Sequence, residues 1–387
     1  MLNNIKIQNY RNLKSLNVEK MGRVNLVIGK NNTGKTSLLE AISVYLHKGN
    51  TAWILQLLEE RGEIARRSDD PKKNLVSNLK ALSGLFWKRR SSFELDDRIL
   101  IESKLSTRKR EFNLFGEMPS GESLSIRFVK FIRTTTVSDG GRISRTQIVD
   151  DNIFDDSVET GIEISIGDSS LITPLESERL FRSGLINRSS SNMLDENIQF
   201  IRTNNIMRDT NGFLWDKISL TDNEKYVEDA LKIIESRIAR ITFIGEARTR
   251  YEERSPVVRL KNDDLVVPLR SMGDGINRIL TIILAMVNCE NGYLLIDEFE
   301  NGLHYSVQEK LWEIIFSLAE KLNIQVFATT HSSDTIRAFE NIVNQNETVP
   351  LNGLLIKLEN INDAIEATTF EPRELKVITD NLIEVRR

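Results

Sequence analysis

The sequence predicts an α/β fold built on an open, largely parallel sheet, and three observations carry that expectation. The apolar run "VNLVI" (24–28) leads into a glycine-bearing loop and then into "SLLEAISVYL" (37–46), the strand, loop and helix order that opens a βαβ unit. Two more apolar runs without alternation, "YLLI" from Tyr293 and "IQVFATT" from Ile324, read as strands covered on both faces. From 92 to 182 the period changes. Leu124, Ile126 and Phe128 alternate with Ser125 and Arg127, and "GIEISIG" does likewise, as half-buried antiparallel strands do.

Taken in order, residues 1–47 read as strand, turn, strand, glycine-rich loop and helix, with "IKIQNYRNLKSLNVE" ahead of the loop. Residues 50–90 look helical and polar, interrupted by a "DDPKKN" break. Thr221-x-x-Glu224 predicts a capping box before a helix whose buried face carries Val227, Ala230, Leu231, Ile234 and Ile238. Ser271-Met272-Gly273-Asp274-Gly275 stands against the apolar run Ile276, Ile279, Leu280, Ile283, Leu284 and Val287, which predicts a buried helix with a donor-rich turn at its mouth. Tyr305 to Leu318 continues as an amphipathic helix. Repeats, low-complexity tracts and long heptad arrays are absent from the pattern.

Composition narrows the classes. The chain has 387 residues, 40% of them hydrophobic, enough for a sizeable core. Lys and Arg number 52 against 56 Asp and Glu, a net charge of -4, so no global field draws in DNA or an anionic membrane and any nucleic-acid contact must be local. The opening residues lack the apolar core of a signal peptide, and no segment approaches the roughly eighteen apolar residues of a membrane span; a cytoplasmic protein is expected. A single cysteine, Cys289, excludes an internal disulfide and a cysteine-based zinc site, and reads as filler on a buried helix. Trp53, Trp87, Trp215 and Trp312 are expected in the core rather than as stacking platforms.

The chemistry concentrates in three places. Gly29-Lys30-Asn31-Asn32-Thr33-Gly34-Lys35-Thr36, followed by Ser37, matches G-x-x-x-x-G-K-[ST]. In a strand, loop and helix setting its N–H groups converge at the positive end of a helix, where phosphate oxygens sit. Lys35 would neutralise the β- and γ-phosphates of ATP, and the Thr36 hydroxyl would ligate Mg2+. "YLLI" ends in Asp297-Glu298; Asp297 suits the acid that holds the metal, and Glu298 a general base for the attacking water. "IQVFATT" delivers His331, a γ-phosphate sensor if the three strands are parallel, because ligands collect at the carboxyl ends of such sheets.

These elements resemble the ATP-binding-cassette ATPases of the SMC and RecF type. The resemblance implies a P-loop ABC-type ATPase head with a mixed β-sheet lobe and a helical insertion. It also implies a homo-oligomer with shared ATP sites, in which Ser271, Gly273 and Gly275 face the γ-phosphate bound by the other subunit. Glu300, Asn301 and Gly302 fall at the family's trans-contacting D-loop, while His304 is expected as a structural cap. "IKIQNYRNLK" looks like the opening of RecF-like and OLD-like ATPases, which places Arg11 near the phosphates. "SMGDGINRIL", "LLIDEFENGLHYSVQ" and "QVFATTHSSD" look closer to ATPase subunits of prokaryotic antiphage systems of the PARIS-like and Septu-like kinds.

The expected organisation is a single head in which 1–49 and 242–387 form the nucleotide-binding core and 50–241 an insertion. The span from Lys35 to Asp297 is too short for long coiled-coil arms, and the signature lacks the wording of membrane-transporter subunits. The family's Q-loop glutamine stays open among Gln56, Gln147 and Gln199. The tail after His331 holds no D-x-D pair of the Toprim nuclease kind, so cleavage would need a separate effector, a Toprim-type nuclease or toxin, released by a phage-encoded trigger. Lys88-Arg89-Arg90, Arg108-Lys109-Arg110 and the Arg237 to Arg254 stretch leave DNA contact open. Three functions are therefore carried: the ATPase of an antiphage module, a RecF-like ATPase that clamps DNA, and a stand-alone P-loop phosphotransferase, the last disfavoured by the signature helix and His331.

Overall fold

The computed structural model describes residues 1–64, 71–103, 123–138, 141–149, 157–176, 197–203, 208–245, 254–261, 266–345, 352–372 and 374. From the N-terminus, β1 (Ile5–Tyr10) and β2 (Leu13–Val18) form a hairpin, and β3 (Val24–Gly29) runs into the glycine-rich loop. Helices α1 (Lys35–Leu46), α2 (Thr51–Glu60) and α3 (Pro71–Ser83) follow. Next come β4 (Ile99–Glu102), β5 (Ser123–Ser138), β6 (Gly141–Val149), β7 (Val158–Ile166), β8 (Ser169–Pro174) and β9 (Ile198–Ile201), then α4 (Arg208–Ile218) and α5 (Asp222–Ile234). β10 (Ile238–Gly245), β11 (Arg254–Leu260) and β12 (Val266–Pro268) precede α6 (Asp274–Val287) and β13 (Tyr293–Ile296). The chain continues with α7 (Tyr305–Lys321), β14 (Gln325–Thr329), α8 (Ser333–Asn344), β15 (Gly353–Ile361) and β16 (Ala364–Phe370).

The central sheet has the order β16-β15-β3-β14-β13-β9 and is parallel from β15 to β9, with β16 antiparallel at one edge. Its strands are covered on both faces, as unalternating runs predict. Leu26, Leu294, Ile296, Val326 and Ala328 enter one core with α6, α7 and α8. Val27, Leu295, Phe327 and Ile356 enter the other with α1, α2 and the antiparallel strands. Each such side chain contributes roughly 1.5–3 kcal/mol by leaving water. Because β14 lies between β3 and β13, the carboxyl ends carrying the glycine loop, His331 and Asp297 are adjacent by topology.

The second sheet runs β2-β1-β4-β5-β7-β8 with β6 on β5, and a small sheet joins β10, β11 and β12. The sheets cut across the 50–241 boundary. β9, from inside it, is an edge strand of the central sheet, while β1 and β2 belong to the antiparallel one. The longest helix among the described residues, α7, has 17 residues. No helix there is long and apolar enough to cross a membrane.

Local expectations fare unevenly. Of the "DDPKKN" break, Pro71 to Asn74 lie within α3, which Pro71 opens where its missing N–H costs nothing, and residues 69–70 lie outside the described residues. Thr221 caps α5 by accepting from Asn223 N, but Glu224 accepts from Leu220 N, one residue outside the expected box. Helix α5 stops at Ile234, so Ile238 is not on its face; it begins β10 and meets the same core from a strand. In β7 the alternation fails, because Glu163 is buried, taking Arg127 Nε at 2.5 Å and Ser170 Oγ at 2.7 Å. Cys289 is fully buried just past the end of α6, and burial pushes its thiol up.

Candidate functional site

Gly34 stands at φ 87°, immediately before α1, and a Cβ there would come within 2.8 Å of Leu13 Cδ2. Only glycine takes that left-handed turn against the β1–β2 hairpin without strain. The loop consequently wraps the N-terminus of α1. Asn31, Asn32, Gly34, Lys35, Thr36 and Ser37 line a cavity of ≈ 1150 Å³ that also receives Asp297, Glu298, Thr329 and His331. Gly29 and Thr33 instead build the loop, with Thr33 Oγ1 donating to Lys30 O at 2.8 Å. The Lys35 ammonium donates to Gly29 O at 2.7 Å and Lys30 O at 2.9 Å. Burial lowers its pKa, against the pull of Asp297, Glu300 and Glu298.

The acids meet the loop directly. Thr36 Oγ1 lies 3.1 Å from both Asp297 carboxylate oxygens, bringing a hydroxyl and a carboxylate together as the hard oxygen donors that Mg2+ takes. Asp297 is nearly buried and held from two more sides. Thr329 Oγ1 donates to its Oδ1 at 2.7 Å, and Arg278 Nη2 donates to its backbone carbonyl at 3.2 Å. The same Thr329 oxygen accepts from Glu298 N at 2.9 Å, fixing a residue whose φ is 49°. His331 is exposed with Nδ1 2.9 Å from Glu300 Oε1, and Glu300 also accepts from Thr330 Oγ1 at 2.7 Å and His331 N at 2.9 Å. His304 caps α7 by accepting from Ser306 N.

Thr329 and Arg278 escaped the sequence reading. Thr329 stands two residues before His331 in "FATTH", a position that gives a strand threonine no local mark. Arg278 is a lone basic residue within an otherwise largely apolar helix. It is 2% exposed, and it also donates to Arg202 O at 3.2 Å. Burial lowers its pKa, opposed by Asp297, Glu298 and Glu300.

Arg11 reaches the cavity wall, but its charge is engaged within the protein. Its Nε lies 2.6 Å from Glu40 Oε2, and its Nη1 3.1 Å from Glu63 Oε2 and 3.2 Å from Gly84 O. Glu40, fully buried in α1, also takes Arg61 at 2.7 Å. Ser271, Gly273 and Gly275 do not line the cavity. Ser271 and Gly273 are exposed, with Gly273 at φ 112° and open space where its Cβ would be. A Cβ on Gly275 would come within 2.9 Å of Gly302 O, so the signature turn and the 300–302 turn share one surface.

None of Gln56, Gln147 and Gln199 lines the cavity. Lys88 and Arg89 do, while 108–110 and 246–253 lie outside the described residues. Arg237 is paired with Glu235 and Arg254 with Asp216. Trp53, Trp215 and Trp312 are core residues as expected, but Trp87 is only partly buried and lines the cavity. Its neighbour Phe86 is buried instead.

Residues 24–337 match the family described as "AAA domain, putative AbiEii toxin, Type IV TA system". The chain belongs to this AAA-domain family. Among relatives of the AAA domain, a protein of Helicobacter pylori called ATP/GTP phosphatase is 22% identical over 375 residues, covering 90% of each chain. The DNA replication and repair protein RecF of Saccharophagus degradans is 52% identical over 46 residues, 12% of each chain. In fold, the chain is similar to an SMC head solved with the C-winged helix domain of ScpA (TM-score 0.54, 10% identity, covering 97% of this chain and 99% of that one). It is also similar to an SMC head with an extended coiled coil, bound to the C-terminal domain of ScpA derived from Pyrococcus furiosus (TM-score 0.50, 9% identity, 99% of both). The AAA domain thus has a mixed α/β fold that resembles SMC heads.

Proposed function

We propose that this chain binds and hydrolyses ATP with Mg2+ as one subunit of a homo-oligomer, and that its closure controls a separate effector in an antiphage defence module. The observation supporting the chemistry is the convergence of Lys35, Thr36, Asp297, Glu298 and His331 on one cavity from three adjacent parallel strands. Lys35 and the loop N–H groups hold the phosphates. Thr36 and Asp297 would hold the metal, which when bound neutralises phosphate charge. Glu298 takes the proton of the attacking water, and His331 contacts the γ-phosphate. The relative called ATP/GTP phosphatase, aligned over most of both chains, supports hydrolysis.

Placement of the signature supports sharing between subunits. Gly275 stands against the Gly302 turn, and none of Ser271, Gly273 and Gly275 lines the cavity of their own loop, so a second copy is their natural nucleotide-bearing partner. The family description, which names a toxin of a toxin–antitoxin system, supports a defence setting. Region 50–241 then acts as the docking surface for the effector, a Toprim-type nuclease or toxin, and for the phage trigger, in a cytoplasmic complex. ATP drives release or capture only by favouring one arrangement.

Lys35→Ala should abolish ATP binding. Glu298→Gln should retain it and slow turnover by about 10² to 10⁴, the range for a lost general base; normal hydrolysis by Glu298→Gln would refute the assignment. Cells expressing the chain with and without its neighbouring gene, challenged by phage, test the division of labour, which fails if the chain protects undiminished alone. The RecF segment supports a second reading, an ATP-dependent DNA clamp. Salt-sensitive, ATP-dependent DNA binding by the purified chain would favour it.

A further inference from the structure

The cavity at the glycine loop, ≈ 1150 Å³, is larger than three phosphates require, and part of its lining is aromatic and basic. Trp87, Lys88 and Arg89 line it together with Asn32 and Lys35. The β1–β2 turn touches both. Arg11 N donates to Leu85 O at 2.7 Å, and Asn12 Nδ2 donates to Asn32 O at 3.4 Å. A single tight turn therefore ties the glycine loop to the segment bearing Trp87.

The Trp87 platform is built rather than incidental. Phe86 is buried, stacks on Phe128 at 4.8 Å and pairs through its backbone with Tyr10, which anchors the turn. Lys88 and Arg89 then take φ of 56° and 54°, a costly conformation for side-chain-bearing residues that persists only where the surroundings impose it. The result is a partly buried indole lining the cavity, with three cations over its ring. Lys88 Nζ lies 4.4 Å, Lys14 Nζ 5.1 Å and the Arg90 guanidinium carbon 5.4 Å from the ring centroid. Arg90 is within 3.9 Å of Asp97, whereas among the described residues neither Lys14 nor Lys88 has a carboxylate partner. Packed like charges without counter-ions suit an anionic ligand, and an aromatic face beside them suits a heterocyclic base.

We propose that Trp87 is the base platform of the nucleotide site, stacking the purine while Lys14 and Lys88 attend its sugar–phosphate side. The proposal rests on the nucleotide reading above and adds the determinant that separates a nucleoside triphosphate from bare polyphosphate.

Binding of Mg-ATP and of inorganic tripolyphosphate, measured by calorimetry on the full chain, tests it. Trp87→Ala should weaken ATP by about ten- to a hundred-fold, the range for a lost base stack, and leave tripolyphosphate within about two-fold. Trp87→Phe should recover most of the ATP affinity. Because Trp53, Trp215 and Trp312 are buried, ATP should quench tryptophan fluorescence in the wild type and not in Trp87→Phe. Unchanged ATP affinity in Trp87→Ala, or an equal loss for both ligands, overturns the platform. So does an effect confined to capture of single-stranded oligo(dT), which would assign the indole to nucleic acid. If the wild type binds neither phosphate ligand, the nucleotide reading falls first and the platform with it.

Discussion

At the scale of single residues, the site depends on one hydroxyl. Thr329 Oγ1 donates to Asp297 and accepts from Glu298 N, so a single atom orients the expected metal acid and the backbone of the expected base. Thr329→Val keeps the shape and removes both bonds. It should lower kcat by about ten- to a hundred-fold and raise the Mg2+ concentration needed for half-maximal ATPase, as loss of a group behind a metal ligand does. Stability should fall by only about 1–3 kcal/mol, because one buried N–H is left unpaired. An unchanged Mg2+ titration would show that Thr329 merely packs. The glycine-rich loop was legible because it is a local device: its spacing and its turn before α1 occupy the same eight residues. Thr329 was not, since its role exists only where β14 meets β13.

At the scale of elements, α6 connects the exposed turn at Gly273 to the acids. The helix is buried along almost its whole length, and Arg278 within it donates both to Asp297 O and to Arg202 O. It thereby spans the carboxyl ends of β13 and β9. A buried guanidinium whose Nε has no hydrogen-bond partner recovers only part of its desolvation cost, so an apolar residue of similar volume can take its place at modest cost, two carbonyls losing one donor each. Arg278→Met should therefore stay folded, with a melting temperature within a few degrees of wild type, yet hydrolyse ATP about tenfold more slowly. Collapse of the fold, or full activity, would contradict this role. Elements with a strong local period, such as β13, β14 and α6, were readable. The end of α5 was not, because Ile238 satisfies a helical spacing while serving the same core from a strand.

At the scale of the whole molecule, Ser271, Gly273 and Gly275 stand apart from the lining of the cavity at the glycine loop. If two chains complete each site, a Ser271→Arg subunit and a Lys35→Ala subunit, each inactive alone, should regain part of their ATPase when mixed. One composite site of the mixed dimer then joins an intact loop to an intact signature. Absence of rescue despite demonstrated subunit exchange would return the signature to its own subunit.

The sequence by itself determined the phosphate loop, the two carboxylates at a strand end, the following histidine and the change from parallel to antiparallel patterning. Each is set by backbone geometry within a few residues, where period and composition act directly. Only the tertiary structure decided that β9 joins the central sheet, that Arg11 is engaged with Glu40 and Glu63, and that Trp87 faces the cavity rather than the core. Those outcomes depend on which strand edge, charge or void a distant segment meets when the chain closes, and no local period encodes such a meeting.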